Sequence, residues 1–189
     1  MHHENQVLVW DPLLRIFHWL LVVCFLIAYI MEDERLILHV LAGSVVLGLI
    51  IFRLFWGVIG AEHARFSDFY YSFKQVVEHL RALAHLRASH YTGHTPAGSM
   101  MIFFLLAGLL LLTMSGLLLY ALENSVSMLS DVSLEVSLLI EELHGLTADL
   151  LMCAAIFHLA GVVVETVLQK QNLIGAMITG YKKGGKDKI

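Results

Sequence analysis

The sequence predicts an all-α membrane protein, a four-helix transmembrane bundle with an interfacial helix between spans two and three. Two observations concern composition: 58% of the residues are hydrophobic and 15% are charged, whereas soluble domains contain about 25% charged residues. The third observation is that apolar runs recur, each with about 20 residues, the length that a helix needs to cross a bilayer. We predict one integral-membrane domain over residues 1–189, with spans at about 13–31, 36–59, 98–120 and 144–168.

The basic residues are distributed unevenly over the segments that these spans separate. Of the twelve Lys and Arg residues, only Arg35 falls on the side of the loops that follow spans one and three. The positive-inside rule therefore predicts a multi-pass protein with both termini in the cytoplasm. We expect the first span to remain in the protein, because no positive segment precedes it and no small-residue cleavage site follows it. Carboxylates crowd the outer loops instead: Glu32, Asp33, Glu34, Glu123, Asp131, Glu135, Glu141 and Glu142.

The segment between spans two and three contains the predicted interfacial helix. Its apolar residues recur at helical spacing, and its polar residues fall on another face. A helix of this kind lies in the membrane interface with its apolar side toward the acyl chains. The apolar face contains Phe69, Phe73, Val76, Val77, Leu80 and Leu83, and the polar face contains Lys74, Glu78, Arg81 and His85.

Four histidines inside the spans form two pairs at two depths. His144 and His158 are fourteen residues apart in span four, which is nearly four helical turns and a rise of about 21 Å. They leave the helix on one face, yet they are too far apart to share an ion whose ligands sit about 2 Å away. Counting residues from the span ends places His18 level with His158 and His39 level with His144.

Two facing imidazoles in a helix bundle can hold a haem iron between them. The alternatives are histidines that are packed and hydrogen-bonded in the bundle or that belong to a proton path. Four positions that match in depth across three helices favour haem ligation. No covalent c-type haem is expected, because the chain has no C-x-x-C-H motif. The histidines outside the spans are predicted to be solvated rather than ligating: His2, His3, His63, His79, His85 and His90.

The glycines and arginines near these pairs each have two possible roles. Gly43 follows His39 by one turn, and small residues there either accommodate a flat macrocycle or let helices approach closely. Arg53 lies fourteen residues after His39, so it shares that face at the level of the inner pair. It either binds a haem propionate or anchors the cytoplasmic end. Arg15, one turn below His18, and Arg35, one turn above His39, are further propionate candidates.

Several stretches resemble the bacterial cytochrome b561 family: "DPLLRIFHWLL", "HVLAGSVVLGLIIFRLFWG", "ARFSDF", "GHTPAG" and the His144/His158 pair. The resemblance runs from Trp10 to about Leu168. It is strongest to the b-type cytochrome subunit of membrane-bound nickel–iron hydrogenases and related di-haem cytochromes b. It implies two haem b groups with bis-histidine ligation, an inner one on His18 and His158 and an outer one on His39 and His144. It also implies that His94 lies near the inner haem edge.

The resemblance implies transmembrane electron transfer through the two haems, between the quinone pool and a periplasmic redox partner. That partner is a small c-type cytochrome or a hydrogenase-like protein. The acidic outer loops favour a partner with a basic docking surface. We expect quinone near the inner haem, close to Arg53, Tyr91 and His94. The other expected partner is membrane lipid; a homodimer is left open, and no nucleic-acid partner is expected.

The first alternative is a stand-alone superoxide:quinone oxidoreductase acting at the outer surface. The acidic outer loops disfavour entry of an anion, although Arg35 is available there. The second alternative is a haem-free proton-coupled carrier that uses the same histidines. A visible absorption spectrum separates this carrier from both haem-containing readings. On the main reading the chain is an electron-transfer component of a membrane oxidoreductase system.

Overall fold

The computed structural model describes residues 6–31, 35–87, 91, 93–124 and 132–183. Four helices in this part of the chain are long and apolar enough to cross a membrane, which confirms the predicted fold class. The elements follow one another along the chain as β1 (Gln6–Leu8), α1 (Pro12–Ile30), α2 (Leu36–Ile59), a 3₁₀ turn (Phe66–Phe69), α3 (Phe73–Ala84), α4 (Pro96–Glu123), α5 (Leu134–Gln169), α6 (Leu173–Thr179) and β2 (Tyr181–Lys183). The four long apolar helices are α1, α2, α4 and α5.

The ends of the long helices follow local chemistry more than hydropathy. Helix α4 begins at Pro96, whose missing N–H costs nothing in a first turn. The Thr95 hydroxyl before it accepts a hydrogen bond from the Gly98 amide at 3.1 Å. Helix α5 begins at Leu134, ten residues before the predicted span, because backbone hydrogen bonding continues through the acidic residues that precede the apolar stretch.

Helix α3 is the predicted amphipathic helix between spans two and three. It begins with a capping box, in which the Ser72 and Gln75 side chains bond to each other's backbone amides. Phe69, predicted to lie on its apolar face, belongs instead to the preceding 3₁₀ turn and is buried. The prediction that His79 is solvated is wrong, because His79 is buried together with Val76 on the inward face of α3.

A small antiparallel sheet joins the two ends of the described chain. Strand β1 pairs with β2, with Val7 opposite Lys182. The turn before β2 needs a glycine: Gly180 has φ 91°, and a Cβ there would lie 2.7 Å from the Trp10 carbonyl oxygen. Strands of three residues are too short to show a period-two pattern, so the sequence did not predict this sheet.

Two compact units divide the chain. The first comprises Met1–Trp19, Phe52–Phe104 and Ile156–Ile189, and the second comprises Leu20–Ile51 and Leu105–Ala155. The four long helices contribute residues to both units. The second unit has an apolar core of Cys24, Val46, Ile50, Leu109 and Leu151. A single domain stays a prediction.

Candidate functional site

In the second unit, the structure brings together two of the predicted histidines. The imidazole of His39, from α2, faces that of His144, from α5. Their ring centroids are 6.0 Å apart, and the ring planes are inclined at 67°. The two rings are therefore neighbours, although 105 residues separate them along the chain.

The Nδ1 atom of each ring in this pair has a hydrogen-bond partner on a neighbouring helix. The partner of His39 is on α1, and the partner of His144 is on α4. His39 Nδ1 lies 2.8 Å from the Ala28 carbonyl oxygen, which can only accept, so Nδ1 carries the proton. His144 Nδ1 lies 2.9 Å from the Ser115 hydroxyl. That hydroxyl donates to the Leu112 carbonyl at 2.9 Å, which leaves it to accept from His144. In both rings Nε2 then keeps its lone pair for a ligand.

Glycine allows His144 to lie close to helix α4. A Cβ built at Gly116 would come within 2.8 Å of His144 Cε1, a distance at which the ring must move. At Gly43, predicted to accommodate a macrocycle, a Cβ would meet nothing within 4 Å. Gly116 therefore serves close packing against His144, and Gly43 borders open space.

In the first unit, His18 and His158 lie near enough to interact electrostatically. His18 packs edge-on against Trp19, with ring centroids 5.2 Å apart. Its Nδ1 is buried, with no hydrogen-bond partner among the described residues. Because buried polar atoms in folded proteins nearly always have a partner, this nitrogen indicates a group that completes the site.

The three arginines predicted as propionate partners have different surroundings. Arg53 is buried, donates from Nη1 to the Ala64 carbonyl at 3.0 Å, and lies with its guanidinium 4.6 Å from the Phe66 ring centroid. Arg15 donates to the Ile178 carbonyl near the end of α6. Arg35 is exposed just before α2. Propionate binding by any of the three stays a prediction.

His94 lies in the first unit between two aromatic rings. Its ring centroid is 4.4 Å from that of Trp10 and 4.3 Å from that of Phe69. Burial, with Lys182, Arg53 and His63 adding positive charge nearby, lowers the pKa of His94 to about 3. His94 is therefore neutral at physiological pH, and its buried Nδ1 has no partner among the described residues.

Sequence reasoning missed a buried polar cluster in the first unit. The Glu165 carboxylate on α5 accepts a hydrogen bond from the Thr95 hydroxyl at 2.8 Å and lies 3.2 Å from His79 Nε2. Its second oxygen accepts from Gln169 Nε2 at 3.2 Å. The available signal was the position of Glu165, seven residues after His158 and so on the same face of the helix.

The comparisons decide the family. The family model described as prokaryotic cytochrome b561 matches residues 9–180. The chain belongs to the prokaryotic cytochrome b561 family. A curated relative, the probable Ni/Fe-hydrogenase B-type cytochrome subunit of Rhodobacter capsulatus, is 27% identical over 167 residues, which cover 80% of this chain and 63% of the relative. The chain therefore spans less than two thirds of that relative's length. No solved structure matches it.

Membership of the cytochrome b561 family confirms the predicted resemblance. The chain is a multi-pass bacterial membrane protein, and its family implies haem b. Among the described residues, no three His, Cys, Asp or Glu side chains come together as a metal site. The imidazoles of His39 and His144 face each other, and a pair of this kind could hold a haem iron.

The His39–His144 pair of this cytochrome b561 fits such an iron. Two imidazoles bound from opposite faces, each with a metal–nitrogen bond of about 2 Å, place their ring centres about 6 Å apart. The observed separation of 6.0 Å matches that value. The donor set fits as well, because both rings present a neutral Nε2 while Nδ1–H is held by an acceptor.

Proposed function

We propose that this cytochrome b561 transfers electrons across the bacterial inner membrane through two b haems, between the quinone pool and a periplasmic redox partner. His39 and His144 would hold one haem, and His18 and His158 the other. The observation that carries the proposal is the facing His39–His144 pair, with its 6.0 Å separation. Haem b, when bound, supplies a one-electron Fe(III)/Fe(II) couple.

The residues of this chain would determine how that couple is used. A haem iron held by two histidines would have no site left for oxygen, which favours electron transfer over oxygen activation. The Ala28 carbonyl and the Ser115 hydroxyl hold the imidazoles in one orientation and increase their basicity. Arg53, which is buried and donates from Nη1 to the Ala64 carbonyl, offers positive charge to a propionate in a low-dielectric surrounding.

The choice of partner rests on charge and on the relative. Of the carboxylates predicted for the outer loops, Glu123 belongs to α4 and Glu135, Glu141 and Glu142 belong to α5, and all four are exposed. The others, Glu32, Asp33, Glu34 and Asp131, lie outside the described residues. An acidic face attracts a basic partner and speeds its approach. The curated relative is named as a hydrogenase cytochrome subunit, which supports a periplasmic hydrogenase or c-type cytochrome as that partner.

Haem stoichiometry tests the proposal. The purified protein, measured by pyridine haemochrome assay, is expected to contain two haems per chain. His39→Ala and His144→Ala should each lower the content to one haem, and so should His18→Ala and His158→Ala, because each haem depends on both of its ligands. His85→Ala, an exposed histidine just after α3, is the matched control and should retain two.

Two results would contradict the proposal. One is a fully loaded native protein with one haem or none. The other is an equal loss of both haems in all four histidine variants at unchanged protein yield, since the two pairs would then not be separate sites. Reduction of the haems by quinol in the native protein tests whether quinol is the substrate. Haems that react with superoxide, but with neither quinol nor a protein partner, would favour the stand-alone enzyme.

A further inference from the structure

The buried pair of Glu165 and His79 is a costly feature of the first unit. The side chains are 11% and 3% exposed, respectively. Burying ionisable groups in a membrane-spanning helix is expensive and marks function by default. All the polar atoms around the carboxylate are arranged to hold it: Thr95 donates to Oε1 and Gln169 to Oε2. A carboxylate and an imidazole in contact share protons as one unit, so the pair can take up or release a single proton.

The pair lies beside one of the predicted histidine pairs. Glu165 follows His158 by seven residues on the continuous helix α5, which is two turns and a rise of about 10 Å. The two side chains interact electrostatically. A proton gained or lost at the pair is therefore felt at His158, which is the coupling that joint transfer of protons and electrons requires.

An apolar groove lies near the pair, lined by Val76, which is three residues before His79 on α3. It lies between α3 and α4, has a volume of about 180 Å³, and opens beside Tyr70 and Phe73, which are 80% and 76% exposed. Its lining residue Tyr71 contacts Tyr91, with ring centroids 6.4 Å apart, and Tyr91 packs edge-on against His79 at 5.4 Å. Aromatic rings therefore connect the groove to the buried pair, and exposed aromatic residues lie at its mouth.

We propose that the Glu165–His79 pair is the proton-exchange site for a quinone whose ring occupies the groove between α3 and α4. This inference rests on the proposed function, because the electrons need the b haems. A quinone suits the groove because it is an apolar, membrane-soluble ring whose redox chemistry requires proton exchange at its two oxygens. No other described pair in the first unit joins a carboxylate to an imidazole.

The reaction balances as follows. Oxidation of one quinol breaks two O–H bonds and releases two protons and two electrons. The two electrons would pass to the two ferric haems that the histidine pairs would hold, one electron to each. The pair accepts one proton by way of Tyr91, releases it to water, and then accepts the second. Reduction of quinone is the same sequence in reverse.

The groups around the pair are suited to this exchange. Burial and the nearby Glu165 raise the pKa of Tyr91, so its hydroxyl stays protonated and can pass a proton on. Lys182 and His158 are the other titratable groups that interact with Glu165. Burial lowers the pKa of Lys182 to about 8, against the opposing effect of Glu165. Lys182 is occupied, because its Nζ donates to the Gly93 carbonyl at 2.9 Å.

The test uses the haem-loaded protein and decylubiquinol as the probe. Glu165→Gln keeps the size of the side chain and a carbonyl oxygen for Thr95, but it cannot accept a proton. We expect haem reduction by decylubiquinol to slow about 100-fold, the usual contribution of a positioned acid or base. Reduction by dithionite should stay within about twofold. His79→Gln is the second variant, and Glu78→Gln, the same change at the exposed neighbour of His79, is the control.

Two readouts separate proton exchange from a structural role. The rate of haem reduction by quinol in the native protein should depend on pH, and this dependence should flatten in Glu165→Gln. Infrared difference spectra of the native protein on adding the quinol should show a carboxyl change that Glu165→Gln abolishes. If Glu165→Gln loads no haem, His79→Gln and the native infrared spectrum decide.

Normal quinol rates in both variants, with an unchanged pH profile, would overturn the inference and leave the proposed function intact. Slowing by quinol and dithionite alike would also overturn it, since the defect would then lie in the haems. A native protein with two haems that no quinol reduces would overturn the quinone part of the proposed function, and this inference with it.

Discussion

At the scale of single residues, hydrogen-bond partners determine what each histidine can do. His39 and His144 have Nδ1 partners at 2.8 and 2.9 Å, and both are left with a free Nε2. His79 lies against a carboxylate, that of Glu165. His94 is packed between aromatic rings, and burial keeps it neutral. Residues of one type thus have three distinct surroundings within one chain.

Ser115→Ala tests the partner of His144. Loss of the hydroxyl leaves Nδ1 without its acceptor, so the ring is less well oriented and less basic. We expect about tenfold weaker retention of the haem on His39 and His144. Redox titration of the same sample should show a higher midpoint potential for that haem, because a less basic ligand stabilises ferric iron less. Ser44→Ala is the matched control, because the Ser44 hydroxyl bonds only to the Val40 carbonyl of its own helix at 2.7 Å. Equal haem retention in both variants would contradict the role of Ser115.

His94→Phe tests the buried neutral imidazole. The pKa of His94 is about 3 in the folded protein, against 6.5 ordinarily. Between these values the unfolded chain binds a proton that the folded chain excludes, so stability falls as pH drops from 6.5 toward 3 and is fully present above 6.5. At pH 5 the loss is about 2 kcal/mol.

Thermal unfolding in detergent at pH 7 and pH 5 measures this effect. The native protein should lose several degrees of Tm on acidification, and His94→Phe should lose less, because a phenyl ring binds no proton. His85→Gln, at an exposed position, should behave like the native protein. A Tm difference between the two pH values that is the same in His94→Phe and in the native protein would show that other groups cause the acid sensitivity.

At the scale of helices, the length of a helix and the choice of its buried face depend on different interactions. Helix α5 has 36 residues, about 54 Å, whereas the bilayer core is about 30 Å thick. Its acidic first turns therefore extend beyond the apolar part, which is why the predicted span began later than the helix does. In α3 the amphipathic pattern predicted the helix, but the inward face carries His79, because burial of its imidazole is compensated by Glu165.

Gly116→Ala tests close packing between α4 and His144. The added methyl would lie 2.8 Å from His144 Cε1, so the ring must shift away from the position that faces His39. We expect loss of the haem on this pair and retention of the haem on His18 and His158, counted by haemochrome assay. Gly48→Ala, where a Cβ meets nothing within 4 Å, should keep both haems. Full haem content in Gly116→Ala would mean that α4 shifts to accommodate the methyl group, and it would contradict the prediction.

At the scale of the whole molecule, each compact unit contains one predicted histidine pair and its supporting residues. The second unit contains His39, His144 and Ser115, and the first contains His18, His158 and the Glu165 cluster. The sheet of β1 and β2 lies in the first unit and joins segments from near the two chain ends. An even number of spans brings both ends to one side of a membrane, in agreement with that pairing.

The charge distribution predicts which side that is. A fluorescent protein fused after Ile189 should fluoresce, and alkaline phosphatase fused there should be inactive, because both termini are predicted to be cytoplasmic. Phosphatase fused after Asn124, which follows span three, should be active. Periplasmic phosphatase activity at the C-terminus with none at Asn124 would reverse the orientation and exchange the inner and outer haems.

The sequence by itself determined the four apolar spans, the amphipathic α3, the charge asymmetry and the spacing of the histidines. These are local and additive properties, because hydropathy sums along a segment and helical geometry converts residue number into angle and rise. Only the tertiary structure decided that His144 bonds to Ser115 and packs on Gly116. It also decided that the carboxylate of Glu165 contacts the imidazole of His79, 86 residues away in the sequence. Such contacts depend on how each helix is rotated against its neighbours, and that rotation is set by side-chain packing between segments distant in sequence.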